Sequence, residues 1–197
     1  MSAEMFEDSD LLQRNTLVLR ATAPPDAQFS VLDETGREIG RVIAEGGLVQ
    51  KKPAQLVLYD RQHTPVLVVE HFERHGETAA RYLDGQGQPI DNRLIRLKQQ
   101  GGFLRKRPVY AFRDARKAEV GSYAFALPPG GDHRLGVTFL FTITAEVSSE
   151  LRLAALGFTI ELVDGMSRKP AWMLKGVPKL GQAWPGSSNG HLPPTAA

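Results

Sequence analysis

One motif occurs four times in this chain: alternating apolar residues, an aspartate, a turn, then an apolar residue six positions after the aspartate. The copies are Phe29-Ser30-Val31-Leu32-Asp33 to Ile39, Leu56-Val57-Leu58-Tyr59-Asp60 to Val66, Ala80-Arg81-Tyr82-Leu83-Asp84 to Ile90, and Tyr110-Ala111-Phe112-Arg113-Asp114 to Val120. Period-two alternation is the mark of a half-buried strand, and Asp at a turn start accepts backbone N–H groups. Gly36 and Gly87 stand three residues after their Asp, where glycine supplies the positive φ that tight hairpins need. Each copy therefore predicts strand, turn, strand, and four in succession predict consecutive hairpins in an antiparallel sheet.

Other strands are expected at 16–21, in the continuous run Pro65-Val66-Leu67-Val68-Val69, at 94–97, at 122–127 and at 135–144, the last two parted by Pro128-Pro129-Gly130-Gly131. From Ser148 the pattern changes. Ser148 or Ser149 can cap a helix, and Glu150 suits its positive end. Leu151, Leu153, Ala154, Ala155, Leu156, Phe158, Ile160, Leu162 and Val163 cover nearly every direction of a helical wheel. A helix apolar all round is buried. At about 1.5 Å per residue this one spans roughly 20 Å, short of the ~30 Å hydrocarbon core of a bilayer. The same residues also admit a strand pair, because 158–162 alternates.

Composition narrows the function classes. The chain has 197 residues, 42% of them hydrophobic, a net charge of +2 and no cysteine. One domain with a sizeable core is the default at this length. Without cysteine there is no disulfide, thiolate metal site or thiol nucleophile. The first ten residues carry Glu4, Glu7, Asp8 and Asp10, the opposite of a basic secretory signal, and no apolar run reaches ~20 residues. A cytoplasmic location with no transmembrane segment is expected.

Hairpins followed by one all-apolar helix make sense if the sheet wraps the helix. That layout resembles the tubby C-terminal-like fold, and the residues look like the phospholipid scramblase and LURP-one-related families within it. Residues 29–40 are similar to the early hairpin of bacterial scramblase-like proteins. Met5-Phe6 and Gln13 to Val18 resemble the segment before it, Ile95 to Gln100 before Phe103 a further segment, and Leu151 to Asp164 the terminal buried helix. The resemblance implies a mainly β fold: an antiparallel closed β-barrel of about twelve strands enclosing one C-terminal hydrophobic helix at about 149–165. An acidic segment (1–15) would precede the barrel domain (16–166), and a Pro/Gly-rich basic tail (167–197) would follow. Animal scramblases add a cysteine cluster and an acidic calcium segment. This chain has no Cys, and only Glu146 and Glu150 stand just before Leu151, so a calcium response is not expected.

Tubby proteins bind phosphoinositide head groups through basic residues, so the resemblance implies an anionic-lipid ligand. The matching feature is Arg93, Arg96, Lys98, Arg105, Lys106 and Arg107, continuing to Arg113, with no acidic residue between Asp91 and Asp114. The plainer reading is a charged, solvated hairpin face. Nucleic acid is the weaker alternative, since Phe103 and Tyr110 alone offer stacking nearby. A second candidate is the tail, where Lys169, Trp172, Lys175, Lys179 and Trp184 combine the residue types of a membrane interface.

Catalytic signals are missing. His71 and His75 have helical ligand spacing but sit on a strand pattern, where positions four apart stand about 13 Å apart, too far to share a metal. There is no Gly-x-Ser-x-Gly elbow and no Walker-type or dinucleotide glycine loop. The four Asp residues read as turn formers. The sequence points to a non-enzymatic protein without metal or cofactor that binds anionic phospholipid peripherally. The alternatives are a protein-interaction or scaffold module with no lipid role and a nucleic-acid or transcription-related binding protein.

Overall fold

A computed structural model of the chain describes residues 10–21, 28–50, 52–91, 96–100, 109–114, 116–126, 138–144 and 146–167. Side chains are described throughout these ranges except at 21, 28, 96–100, 109–110, 125–126 and 166–167. Among the described residues the first element is a short helix, α1 (Asp10–Gln13). Eleven strands follow among the described residues: β1 (Thr16–Ala21), β2 (Gln28–Leu32), β3 (Glu38–Val49), β4 (Lys52–Asp60), β5 (Pro65–Arg74), β6 (Glu77–Asp84), β7 (Pro89–Ile90), β8 (Arg96–Gln100), β9 (Val109–Arg113), β10 (Glu119–Ala126) and β11 (Thr138–Ile143). The last described element is α2 (Ser149–Ser167). The strands form one sheet in the order β7-β6-β5-β4-β3-β2-β1-β11-β10-β9-β8. Every pairing is antiparallel.

All four repeated motifs form the same turn. In each, the Asp carbonyl accepts the N–H three residues on, and the Asp N–H bonds the carbonyl four residues on, at 2.9–3.1 Å. The Asp Oδ1 accepts the N–H four residues on in every copy, at 2.8–3.0 Å. The residue three after the Asp is left-handed throughout: Gly36 at φ 85, His63 at 62, Gly87 at 79 and Lys117 at 67. The carboxylate thus replaces the ladder partners that the chain gives up as it reverses. The turns follow β2, β4, β6 and β9, which run the same way, so they gather at one end of the sheet.

Alternation then decides which side chains point inward. The register sets Leu17 opposite Phe141, Leu19 opposite Val31, Phe29 opposite Val42, Leu58 opposite Leu67, and Val69 opposite Tyr82. All ten of these residues are buried. This face wraps α2. The helix touches β1, β5, β6, β7 and β11, and Phe158 on it meets Phe112 of β9 edge-on at 6.3 Å. Between Leu151 and Gly165 no helix residue is exposed. Strands so far apart in sheet order can reach one helix only if the sheet curls around it. Chain connectivity requires the same, because Ile90 of β7 and Arg96 of β8 lie on opposite edges yet are joined by six residue steps. That link reaches about 20 Å at most, whereas the edges of a flat eleven-stranded sheet lie about 48 Å apart.

Close approach of helix and wall depends on Gly157. A Cβ there would sit 3.1–3.3 Å from the ring carbons of Tyr82. At the Asp-turn end Leu11 of α1 covers Gly40, whose Cβ would come within 2.8 Å of the leucine methyl. The N-terminal segment read as merely acidic therefore contributes two buried leucines, Leu11 and Leu12, to the core.

The described residues supply eleven of the about twelve strands expected. Val120 and residues 122–126, read as separate arms, belong to one strand, β10, because a register shift between Glu119 and Gly121 absorbs the extra residue. Among the described residues β7 and β8 share no ladder. With an odd number of antiparallel strands the two edges run in the same direction, so an all-antiparallel closure needs one strand more. The helix spans Ser149–Ser167, which settles the helix-or-hairpin alternative in favour of the helix.

Candidate functional site

Two regions merit description as sites: the basic face of β8 and β9, and a groove on the outer face of β3 and β4. The β8–β9 register places Arg96 opposite Arg113, Leu97 opposite Phe112, and Lys98 opposite Ala111. Phe112 points inward against Tyr123 and Phe141. Positions 96, 98 and 113 therefore share the outer face of the ladder at an edge of the sheet. Like charges directly opposite are destabilising unless something neutralises them. On its other side Arg113 faces Glu119 of β10. The Arg113 Nε is buried with no hydrogen-bond acceptor. Arg93, Arg105, Lys106 and Arg107 lie outside the described residues, as do Lys169, Trp172, Lys175, Lys179 and Trp184 of the tail.

The groove has a volume of about 380 Å³ and is lined by Glu38, Arg41, Tyr59, Asp60, Arg61 and His63, with Gly40 and Ile43. Arg41 and Tyr59 are cross-strand partners on the outer face. The Tyr59 and His63 rings stack with centroids 4.4 Å apart and planes 11° from parallel. The Tyr59 hydroxyl donates to Glu45 Oε1 at 2.6 Å. That hydrogen bond, with burial and the Glu45 charge, raises the Tyr59 pKa above the usual phenol value. Glu38 accepts from Arg41 Nη2 at 2.7 Å and from the Ser30 hydroxyl at 2.8 Å. Sequence reasoning missed this groove. The available signal was that copy two alone puts an aromatic residue directly before its Asp and a histidine where two sister copies have glycine.

The polar groups inside the wrapped sheet hold structure together. Glu161 on α2 accepts from Lys52 Nζ at 3.3 Å and from the Tyr82 hydroxyl at 3.1 Å. Burial first, then the Glu161 charge and hydrogen bond, drives the Tyr82 pKa upward. Arg152, at the other end of α2, donates to the Arg14 carbonyl at 2.5 Å and to Asn15 Oδ1 at 3.2 Å. Burial lowers its pKa. His71 is buried, with Nδ1 2.7 Å from the Pro53 carbonyl. That carbonyl can only accept, so Nδ1 carries the proton. His75 stands in the following turn at φ 53, and the two do not form a ligand pair. Among the described residues no group of three or more His, Asp or Glu is placed to hold a metal ion. No described helix is long and apolar enough to cross a membrane.

No family model and no curated protein matches the chain. Among solved structures, it is similar to the X-ray structure of a protein from Arabidopsis thaliana, AT5G01750, at 16% identity and a TM-score of 0.39, over 78% of this chain and 92% of that one.

Proposed function

We propose that this protein is a non-enzymatic barrel of the phospholipid scramblase and LURP-one-related type that binds anionic phospholipid peripherally, at the cytoplasmic face of a membrane. In this reading the wrapped sheet closes through one further strand between its edges. The observation that carries the binding reading is the register that sets Arg96 against Arg113, with Lys98 next on the same face. An anion bound at this register gives the orphaned Arg113 Nε an acceptor. Guanidinium groups bind phosphate in a forked geometry. The sequence from 92 to 113 carries no acidic residue.

Near an anionic membrane each such residue contributes on the order of 1 kcal/mol, falling off within a Debye length. The double variant Arg96→Ala/Arg113→Ala is therefore expected to weaken binding to phosphatidylserine-containing vesicles about 30-fold, as two such residues correspond to roughly 2 kcal/mol. Flotation at low and high salt measures it. Binding that persists undiminished in the double variant, or that is equal on neutral vesicles, rejects the reading. A stable protein partner captured on this face in place of lipid would establish an interaction module instead.

A further inference from the structure

We infer that the groove on β3 and β4 is a binding site for a neutral, hydroxyl-rich ligand with an apolar ring face, that is, a saccharide. Three observations converge on it. The first is the comparison among the four Asp turns. Glycine occupies the left-handed position in two of them, where it costs nothing, whereas copy two holds His63 there at φ 62. A side chain in this conformation carries backbone strain, which tends to persist where a function requires it. Lys117 shares the conformation at φ 67, is exposed like His63, lies outside the groove's lining and serves as a comparison.

The second observation is what His63 gains. Its imidazole lies flat against Tyr59, whose hydroxyl Glu45 holds. The stacked pair is thus formed before any ligand arrives, which limits the ordering cost of binding. A glycine at 63 would leave the pair half built.

The third is the balance of charge. Around the rings the groove presents the donors Arg41, Arg61 and His63 and the acceptors Glu38 and Asp60. Arg41 and Glu38 neutralise each other, and one oxygen of Asp60 is committed to the turn through Gln62 and Thr64. Arg61 and the remaining Asp60 oxygen oppose one another in charge. The lining is therefore close to neutral, which disfavours a phosphate or an ammonium ion. It offers both donors and acceptors beside the outer face of the stacked rings. Sugar hydroxyls both donate and accept, and the C–H face of a pyranose ring matches an aromatic ring. The volume, about 380 Å³, falls in the range of small-ligand sites.

Saturation-transfer difference NMR on the full chain tests this with millimolar methyl α-glucopyranoside, methyl α-mannopyranoside, methyl β-galactopyranoside and N-acetylglucosamine, and with benzoate as a flat anion. At least one saccharide is expected to be saturated, with the signal falling at least fivefold in His63→Gly and in Arg61→Ala. His63→Gly removes the left-handed strain, so its Tm is expected to hold or rise by about 1–3 °C. Lost binding in that variant therefore cannot come from unfolding. Lys117→Gly makes the same backbone change away from the groove and is expected to keep the full signal. Silence from all four saccharides, saturation of benzoate alone, or equal signals in wild type and His63→Gly each overturn the inference.

Discussion

Replacing Phe112 by Ala is expected to lower the unfolding free energy by about 3–5 kcal/mol, the usual cost of truncating a fully buried phenylalanine. Phe112 is 0% exposed. Its ring packs against Tyr123 and Phe141 at centroid distances of 5.7 and 5.9 Å, and edge-on against Phe158 at 6.3 Å. These partners come from β10, β11 and α2, so deletion of one ring opens a void that no single element can move to fill. The loss is large against a total stability of about 5–15 kcal/mol. Urea denaturation measures it, and Phe112→Leu is expected to recover more than half. A double-mutant cycle with Phe158→Ala sharpens the test, since aromatic pairs couple by about 0.5–1.5 kcal/mol. Coupling of that size places the helix against β9, next to the sheet edge, as the wrapped arrangement requires. A Phe112→Ala loss below 1 kcal/mol with no coupling to Phe158 would contradict the enclosure of α2.

The enclosure was legible in the sequence because a helix with no polar face has to be surrounded, and here alternating strands are the material available to surround it. The hairpins were legible for a similar reason. An Asp at a fixed distance from flanking apolar residues specifies a turn whose hydrogen bonds are local. What the sequence hid depends on contacts between distant residues. Nothing near Leu11 announces that it will cover Gly40. The merging of Val120 with the strand after it rests on a register shift that alternation alone does not encode. The groove of Tyr59 and His63 shows both sides of this. Its residues lie within one motif copy, but the stack becomes visible only once the left-handed turn brings residue 63 back over residue 59. The basic stretch was legible as composition, whereas the opposition of Arg96 and Arg113 required the register of β8 on β9.

Asp33 provides the second large effect, because it is the most enclosed of the four turn aspartates. At 2% exposure it accepts the Thr35 N–H at 2.9 Å, the Arg37 N–H at 3.0 Å and the Thr35 hydroxyl at 2.6 Å, with Arg37 Nε 3.6 Å away. Asp33→Ala leaves three donors without the buried carboxylate that accepts from them. It is expected to cost about 2–3 kcal/mol, against about 1 kcal/mol for Asp84→Ala in the more open sister turn, where water can replace the carboxylate. Titration separates the charge from the hydrogen bonds. Burial pushes the Asp33 carboxyl upward, but the hydrogen bonds from Thr35 and Arg37 and the charge of Arg14 outweigh it, and the folded-state pKa lies below its ordinary value. A carboxyl with a lowered folded pKa contributes stability that is present above its unfolded pKa, about 3.9, and is lost as pH falls through the folded value. Asp33→Asn keeps the acceptor oxygen but cannot titrate. The stability gap between wild type and Asp33→Asn should therefore be constant from pH 7 to about pH 5, then shrink as the pH drops below about 4. A gap that widens in acid, or that stays unchanged down to pH 2, would mean that the ionised carboxylate is not what holds this turn. Equal losses for Asp33→Ala and Asp84→Ala would mean that its enclosure is not what makes the turn costly to break.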